Sequence, residues 1–322
     1  MKQNYGYACI NMTLSDVPKS KRIMTNRSMI KRTFKAKGVK YASELALDNI
    51  MDLLRILKWN EQNNIKFYRM SSDIFPWASE YEYEDLPDIR EIKRRLKLIG
   101  EYATRNGHRL TFHPGPYNCL GSPHKNVIEK AYKDLNMHSR IFDMMGFEPS
   151  HYNKINIHVG GTYGDKEKTA ARFIENFNNP NGLDVNCRKR FTLENDDKAS
   201  MWSTKEIYEK IHHKTGIPIV FDYHHHRFCT GGLTEGEAVK LAAKTWPPWI
   251  TPVVHVSESK AIEYGDPKIR KQAHSDFIQR PVENHGQTHD IMLECKKKEL
   301  ALLKLRATIT ERHQQIKEKP CL

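Results

Sequence analysis

Six short apolar runs in this chain end on a histidine or a carboxylate, and this recurrence constrains the fold more than any other feature. The six terminal residues are His113, His158, Glu194, Asp222, His255 and Glu294. They are separated by 45, 36, 28, 33 and 39 residues, and each spacing fits one strand, one loop and one helix. Repeated strand-helix units build a parallel sheet. If that sheet closes into an eight-stranded barrel, the carboxyl ends of the strands share one mouth. We therefore predict an α/β protein with a single (β/α)8 TIM barrel.

The remaining periodicity supplies the other elements of such a barrel. Strands are predicted over 5–11 and 65–70 and before each of the six terminal residues, and helices over 43–63, 87–105, 125–145 and 296–319, with one more starting near 165. Ser203 with Glu206 and Thr234 with Glu237 have the spacing of capping boxes and predict two further helix starts. Because no linker or internal repeat interrupts the pattern, we expect one domain over residues 1–322.

Residues 12–42 form a polar, basic excursion after the first strand that is too long for an ordinary connection in a barrel. It carries nine cations: Lys19, Lys21, Arg22, Arg27, Lys31, Arg32, Lys35, Lys37 and Lys40. A solvated insertion and a segment that contacts a polyanionic substrate are equally compatible with this composition.

Charge favours nucleic acid as the partner. Lysine and arginine total 52 against 39 aspartates and glutamates, which gives a formal net charge of +13. Basic side chains release counterions from phosphates, whereas a small neutral sugar needs no such excess. Solvated basic faces are the alternative. The six cysteines form no CxxC pair, no apolar run reaches the length of a membrane span, and the N-terminus has no secretion signal layout. We expect an intracellular protein, nuclear or cytoplasmic, with no membrane partner.

Imidazoles and carboxylates at one barrel mouth predict a site for several divalent metal ions. Glu194 could bridge two ions, or the acidic segment after it could instead cap a helix. Asp222 and His225 are three residues apart and could serve different ions, although a run of three histidines could also form an exposed turn. His274 and Asp276 offer one further pair of ligands.

Three features point to contacts with DNA. The turn from His113 to Tyr117 contains two prolines and a glycine, so Tyr117 could be held at a stiff tip and wedge into a base stack, or it could pack on the barrel rim. The glycine-rich segment 158–164 could approach phosphate through its backbone, which is weak evidence alone. Arg69 and Lys260 are candidate phosphate contacts, with solvent-exposed side chains as the alternative.

Taken together and in order, these motifs make the chain resemble the UV DNA damage endonuclease family over nearly its whole length. The motifs that carry the resemblance are Tyr68-Arg69-Met70-Ser71-Ser72, His113-Pro114-Gly115, Asn156-Ile157-His158-Val159-Gly160-Gly161, Leu193-Glu194-Asn195-Asp196-Asp197, Phe221-Asp222-Tyr223-His224-His225, Val254-His255-Val256-Ser257, Ala273-His274-Ser275-Asp276 and Met292-Leu293-Glu294.

The resemblance implies a barrel like those of endonuclease IV and xylose isomerase, with a cluster of three metal ions that prefers manganese and could accept zinc or magnesium. It implies a monomeric enzyme that acts on double-stranded DNA carrying UV lesions. A metal-activated hydroxide would cut the phosphodiester immediately 5′ to cyclobutane pyrimidine dimers and 6-4 photoproducts, leaving a 3′-hydroxyl and a 5′-phosphate.

The resemblance also implies roles for single residues. One ion would take His113, His158 and Glu194, and Glu194 would bridge to a second ion that also takes Asp222, His255 and Glu294. A third ion would take His225, His274 and Asp276. Tyr7, Asn11 and Tyr117 would contact or wedge the lesion, Arg69 would contact DNA, and Glu194, Lys260 and Glu80 would be the catalytic candidates.

Three positions depart from the family pattern: Pro116 replaces a glutamine of the tip, Glu80 replaces a histidine, and Val253 replaces a lysine. Two other functions remain open from the residues alone. One is a metal-dependent sugar isomerase or epimerase on the same barrel, and the other is a lesion-binding protein that has lost its activity. Fold class does not decide between them.

Overall fold

Eight parallel strands form one sheet in this structure, a computed structural model that describes residues 3–317 and the side chains of residues 3–311. The strands are β1 Tyr5–Ala8, β2 Phe67–Arg69, β3 Arg109–Thr111, β4 Ile155–His158, β5 Phe191–Glu194, β6 Ile219–Asp222, β7 Val253–Val256 and β8 Asp290–Leu293. Their order is β3-β2-β1-β8-β7-β6-β5-β4. A parallel bridge between Phe112 and Ile155 joins the two ends of the sheet, so the predicted TIM barrel is confirmed.

Helices connect the strands and cover the outside of the barrel. They are α1 Met12–Ser15, α2 Lys31–Gln62, α3 Ile89–Arg105, α4 Lys125–Met145, α5 Lys166–Asn178, α6 Val185–Arg190, α7 Thr204–Ile207, α8 His213–Thr215, α9 Tyr223–His226, α10 Glu235–Ala243, α11 Lys260–Tyr264 and α12 Lys298–Lys317. A π-helical stretch, Tyr208–His212, joins α7 to α8. Helix α3 shows why they pack: Ile92, Leu96, Ile99 and Ala103 recur at spacings of three or four residues and are all buried.

The N-terminal region differs most from the prediction. Strand β1 ends at Ala8 rather than at residue 11, because the Asn11 side chain accepts a hydrogen bond from the Leu14 backbone and starts α1. Helix α2 begins at Lys31 rather than at residue 43, so much of the basic excursion is helical. Gly38, with φ of 65°, interrupts this helix.

Both predicted capping boxes are confirmed, at Ser203 with Glu206 and at Thr234 with Glu237. The last helix begins at Lys298, close to the predicted start, while residues 318 and 319 of the predicted range and Cys321 lie outside the described residues. Within residues 3–317, the helices are all too short or too polar to cross a bilayer.

Strand alternation decides which side chains point into the barrel. Much of the interior is apolar, and this inner cluster consists of Ala8, Phe67, Val220, Trp246, Ile250, Val253 and Met292. The larger apolar cluster lies between the strands and the surrounding helices. Polar side chains are also buried in the interior, and at the carboxyl ends of the strands they include most of the predicted ligands.

Candidate metal centre

Three groups of histidines and carboxylates lie at the barrel mouth, and in each group the potential ligand atoms are within 4.8 Å of one another. The groups are His113 with Glu194 and His255, His158 with Glu194 and His225, and Asp222 with His255 and Glu294. Seven of the nine predicted metal ligands therefore converge. The grouping differs from the expected one, because His113 and His158 belong to different groups and His225 shares a group with Glu194.

Glu194 is the centre of this arrangement. It ends β5, is fully buried, and its two oxygens face different histidines. Oε2 lies 3.0 Å from His113 Nε2 and 2.9 Å from His255 Nδ1, whereas Oε1 lies 3.3 Å from His225 Nδ1. A carboxylate in such a position can bind two metal ions, one on each side.

A single turn of helix brings His225 back to the strand that ends at Asp222. The Asp222 carboxylate accepts a hydrogen bond of 2.7 Å from the His225 backbone and so caps α9. The His225 Nδ1 donates to the Asn195 carbonyl oxygen at 2.9 Å. A histidine whose one ring nitrogen is fixed in this way offers the other nitrogen as a ligand.

His113 and His274 follow the same rule. The Nδ1 of His113 lies 3.2 Å from the Pro114 carbonyl oxygen, so its Nε2 is turned to Glu194. The Nδ1 of His274 lies 2.7 Å from the Ser257 hydroxyl, and its Nε2 lies 4.0 Å from Glu294 Oε2. His274 is thus beside the cluster, next to the third group.

The buried atoms of this cluster fit bound cations. Glu194 Oε1, Asp222 Oδ2 and His255 Nε2 are buried and have no hydrogen-bond partner among the described residues. Unpaired buried polar atoms are costly, and a coordinated ion would satisfy them. Nitrogen and carboxylate donors suit zinc and manganese. The donor set therefore fits divalent metal ions.

Burial and the charges of neighbouring side chains together shift the pKa values of the candidate ligands. Burial, only partly offset by Glu194, lowers the pKa of His113 to about 4. Burial would also lower the pKa of His225, but the Asp222 and Glu194 carboxylates outweigh it and raise that pKa to about 9. The surrounding histidines hold the pKa of Glu194 well below its usual value despite burial. A lowered pKa favours the ionised form of Glu194, which is the form that binds metal ions.

Asp276 and Lys260 form an ion pair with each other. The Lys260 Nζ lies 3.0 Å from Asp276 Oδ1, and the Tyr264 hydroxyl donates to Asp276 Oδ2 at 2.7 Å. Asp276 is absent from the three groups and turns its carboxylate to these two side chains. This arrangement does not agree with the prediction that Asp276 shares a metal ion with His225 and His274.

Arg69 was predicted to contact DNA, but its guanidinium is inside the mouth. Its Nη1 donates to Glu294 Oε1, so it is paired with a candidate ligand instead of facing outward. Glu80, in contrast, is exposed on a short turn, Ala78–Glu80, and its described side-chain contact is with Ser79. Neither placement matches the role expected from the sequence.

The predicted contacts of Tyr7 and Asn11 with a lesion disagree most clearly with the structure, because both side chains are buried in the protein core. The Asn11 amide donates to the Tyr7 hydroxyl, which donates to Asn60 Oδ1, each at 2.8 Å. This chain of hydrogen bonds ties β1 to α2 and leaves neither side chain a surface for DNA. Tyr117 is placed as predicted, at the tip of its turn with 62% of its surface exposed.

Several residues that contact the candidate ligands are not predicted from the sequence as site residues. Asp196 Oδ1 lies 2.9 Å from His158 Nδ1, and Ser257 contacts His274. The signal for Asp196 was its position two residues after Glu194 in an acidic segment, which places it on the same side of the chain. The signal for Ser257 was its position two residues after His255. Asn156 donates to Glu194, and its signal was its polar side chain two residues before His158 in an otherwise apolar strand.

Comparison with known proteins gives matches over nearly the whole chain. The model of the family described as UV-endonuclease UvdE matches residues 3–320. A UV-damage endonuclease of Schizosaccharomyces pombe is 33% identical over 315 residues, which is 93% of this chain but only 49% of the yeast protein. A UV DNA damage endonuclease of Bacillus cereus is 33% identical over 317 residues, with 94% of this chain and 92% of the relative covered.

Solved structures agree with these relatives. The crystal structure of SacUVDE superposes with a TM-score of 0.83 at 30% identity, covering 97% of this chain and 99% of the other. Endonuclease IV from Thermus thermophilus covers 96% of this chain and 99% of its own, with a TM-score of 0.54 at 12% identity. The second likeness concerns the fold, and it confirms the predicted endonuclease IV-like barrel.

Proposed function

This chain belongs to the UV-endonuclease UvdE family, and we propose that it is a UV-damage endonuclease that nicks double-stranded DNA immediately 5′ to a lesion. Cyclobutane pyrimidine dimers and 6-4 photoproducts would be its substrates, and each nick would leave a 3′-hydroxyl and a 5′-phosphate. The observation that carries the proposal is the convergence of four histidines and two further carboxylates around Glu194 at the barrel mouth.

We propose that these residues hold up to three divalent metal ions, with manganese preferred. His113 and His255 would flank one oxygen of Glu194, His158 and His225 would flank the other, and Asp222 and Glu294 would complete the third group with His255. Bound ions would activate a water molecule for attack on phosphorus and offset the charge that develops there.

The side chains of the protein would orient the reaction. Glu194, held by histidines on both sides, fixes the distance between the ligand groups. Arg69 stays paired with Glu294 and keeps that carboxylate turned into the mouth. Lys260, about one-third exposed and paired with Asp276, is the remaining candidate for a phosphate contact near His274.

Recognition of the lesion would depend on Tyr117 and on the positive charge of the chain. A net charge of +13 favours binding to the phosphate backbone whatever the sequence of the DNA. The Tyr117 ring is exposed at a stiff tip, where it can enter the stack opened by a distorted base pair. A damaged step is easier to unstack than an intact one, so lesions are favoured.

The experiment uses the full chain with manganese(II) and a duplex that contains one cyclobutane thymine dimer. We expect one nick directly 5′ to the dimer. Undamaged duplex, added EDTA and a folded Glu194→Gln variant should each abolish it. Binding to damaged DNA without any nick would contradict the proposal in favour of a lesion-binding protein. Turnover of a free ketose sugar with no action on DNA would contradict it in favour of an epimerase.

A further inference from the structure

One side of the barrel interior beneath the candidate metal centre is polar. Val220, Val253 and Met292 belong to the apolar inner cluster. On β4 and β5, however, the inward positions two residues before His158 and Glu194 are Asn156 and Thr192, which are paired in register and fully buried. Burying an amide is unfavourable unless its hydrogen bonds are formed, so this substitution of polar for apolar residues needs a physical reason.

The contacts of Asn156 supply that reason. Its Nδ2 donates to Oε2 of Glu194, the oxygen that also faces His113 and His255. Its Oδ1 accepts a hydrogen bond of 2.8 Å from the Thr192 hydroxyl. Asn156 therefore bridges Thr192, inside the barrel, to the carboxylate at the centre of the ligand groups.

The Glu194 carboxylate decides which way the amide of Asn156 points, and Thr192 satisfies the amide oxygen in that orientation. If the amide were reversed, its oxygen would face the ionised Glu194 carboxylate, and two acceptors would oppose each other without a proton between them. A threonine hydroxyl can donate to the amide oxygen, and it does so here. The pair of side chains thus presents a fixed N–H donor to Glu194.

We infer that Asn156 is a positioning residue of the metal centre, acting through Glu194. Its hydrogen bond keeps Oε2 turned to His113 and His255 and leaves Oε1 turned to His225, so that one carboxylate serves two ligand groups at once. The inference rests on the proposed function only in assuming that metal ions occupy these groups. Groups that orient a ligand in this way are typically worth about 10- to 100-fold in metal affinity.

The test titrates manganese(II) chloride into the full-length protein by calorimetry and follows the bound ions by electron paramagnetic resonance. Asn156→Leu keeps the size of the side chain and removes the donor. We expect it to weaken manganese binding by about 10- to 100-fold and to diminish the spin coupling between neighbouring ions. Thr192→Val removes the hydroxyl that donates to Asn156 Oδ1 and so weakens the hold on the amide. It should produce a smaller loss of manganese binding, and it provides the test if Asn156→Leu does not fold.

The matched control is Thr111→Val. Thr111 is also a buried hydroxyl on a barrel strand, and it has no hydrogen bond within the described part of the chain. It should leave manganese binding and the resonance spectrum as they are. Folded Asn156→Leu protein that binds manganese like the wild type would overturn the inference. Because the readout is metal binding, a wild-type protein that binds manganese but cuts no DNA would end the proposed function and leave this inference standing.

Discussion

Arg109 and Asp290 form an ion pair across the closed end of the barrel, with 2.9 Å between Arg109 Nη1 and Asp290 Oδ2. Both side chains are buried. Arg109 also donates to the carbonyl oxygens of Tyr152 and Thr251, and Asp290 accepts from the Asn4 backbone. The pair therefore ties β3 to β8 at the end of the barrel opposite the metal centre.

We expect Asp290→Asn to lower the free energy of unfolding by about 3–5 kcal/mol, because the guanidinium would stay buried without its counter-charge. Denaturant titration in EDTA measures this. Replacing both partners, as Arg109→Met with Asp290→Leu, should recover most of the loss. As a control, Glu129→Gln breaks an exposed pair with Lys125 and should change little. A loss in Asp290→Asn no larger than in that control would contradict the prediction.

Metal removal should lower thermal stability through the same residues that bind the ions. A ligand that binds only the folded state at 100 times its dissociation constant stabilises that state by about 2.7 kcal/mol. The wild-type protein should therefore melt at a higher temperature with manganese than with EDTA. Glu194→Gln should lose most of this difference, whereas Glu80→Gln, which changes an exposed carboxylate outside the three groups, should keep it. Equal shifts in both variants would argue that manganese binds elsewhere.

The barrel and the convergence of most of the candidate ligands could be predicted because they depend on local signals. Six of the candidate ligands each close an apolar run, and parallel strands bring such positions to one edge whatever the loops do. The role of Arg69 could not be predicted, because its partner Glu294 lies 225 residues further along the chain. The start of helix α2 could not be predicted either, because its local signals are weak. Ile30 precedes the first residue and makes no side-chain cap, and Gly38 interrupts the helical pattern.

Tyr7 and Asn11 illustrate the other limit of sequence reasoning. Both are polar residues near a strand end, the pattern expected of a binding site, yet their hydrogen bonds are used within the core. Only the position of Asn60 on α2 reveals this. Asn156 is the reverse case: a polar residue within an apolar strand, whose partners Thr192 and Glu194 become adjacent only when β4 pairs with β5.

Tyr117→Ala should weaken cutting of dimer-containing DNA while leaving the fold intact. Stacking of an aromatic ring on a base is worth about 1–3 kcal/mol, so a loss of roughly 5- to 150-fold is expected in single-turnover cleavage. Tyr117→Phe should retain most activity, because the ring does the stacking. Trp249→Ala removes another highly exposed ring, on the connection that leads into β7, and should have no effect on cleavage. Full activity in Tyr117→Ala would contradict a wedge.

His289 should make the protein sensitive to acid. Burial lowers the pKa of its imidazole to about 4, below the usual value of 6.5. The unfolded chain therefore binds the proton more readily, and stability is lost as the pH falls from 6.5 towards 4. We expect roughly 2–3 kcal/mol of this loss to come from His289. In EDTA, the free energy of unfolding of His289→Gln should fall by roughly 2–3 kcal/mol less than that of the wild type between pH 6.5 and 4. His124→Gln, at an exposed position, should follow the wild type.

Lys154 is a buried amine beneath the ligands, and removing it should stabilise the metal-free protein. Its Nζ has no hydrogen-bond partner within the described residues, and burial lowers its pKa well below the usual value. An unpaired buried polar group costs about 1–3 kcal/mol, so Lys154→Met should raise the free energy of unfolding by a similar amount at pH 7.

The pH dependence of this gain identifies its cause. Because the folded pKa of Lys154 lies well below 10.5, the usual pKa of lysine, the wild type is penalised at neutral pH and recovers as the pH rises towards 10.5. The advantage of Lys154→Met over the wild type should therefore shrink between pH 7 and 10. Lys125→Met, at an exposed position, should show neither the gain nor its decline. A Lys154→Met variant that is less stable than the wild type in EDTA would mean that the amine stabilises the ligand carboxylates around it.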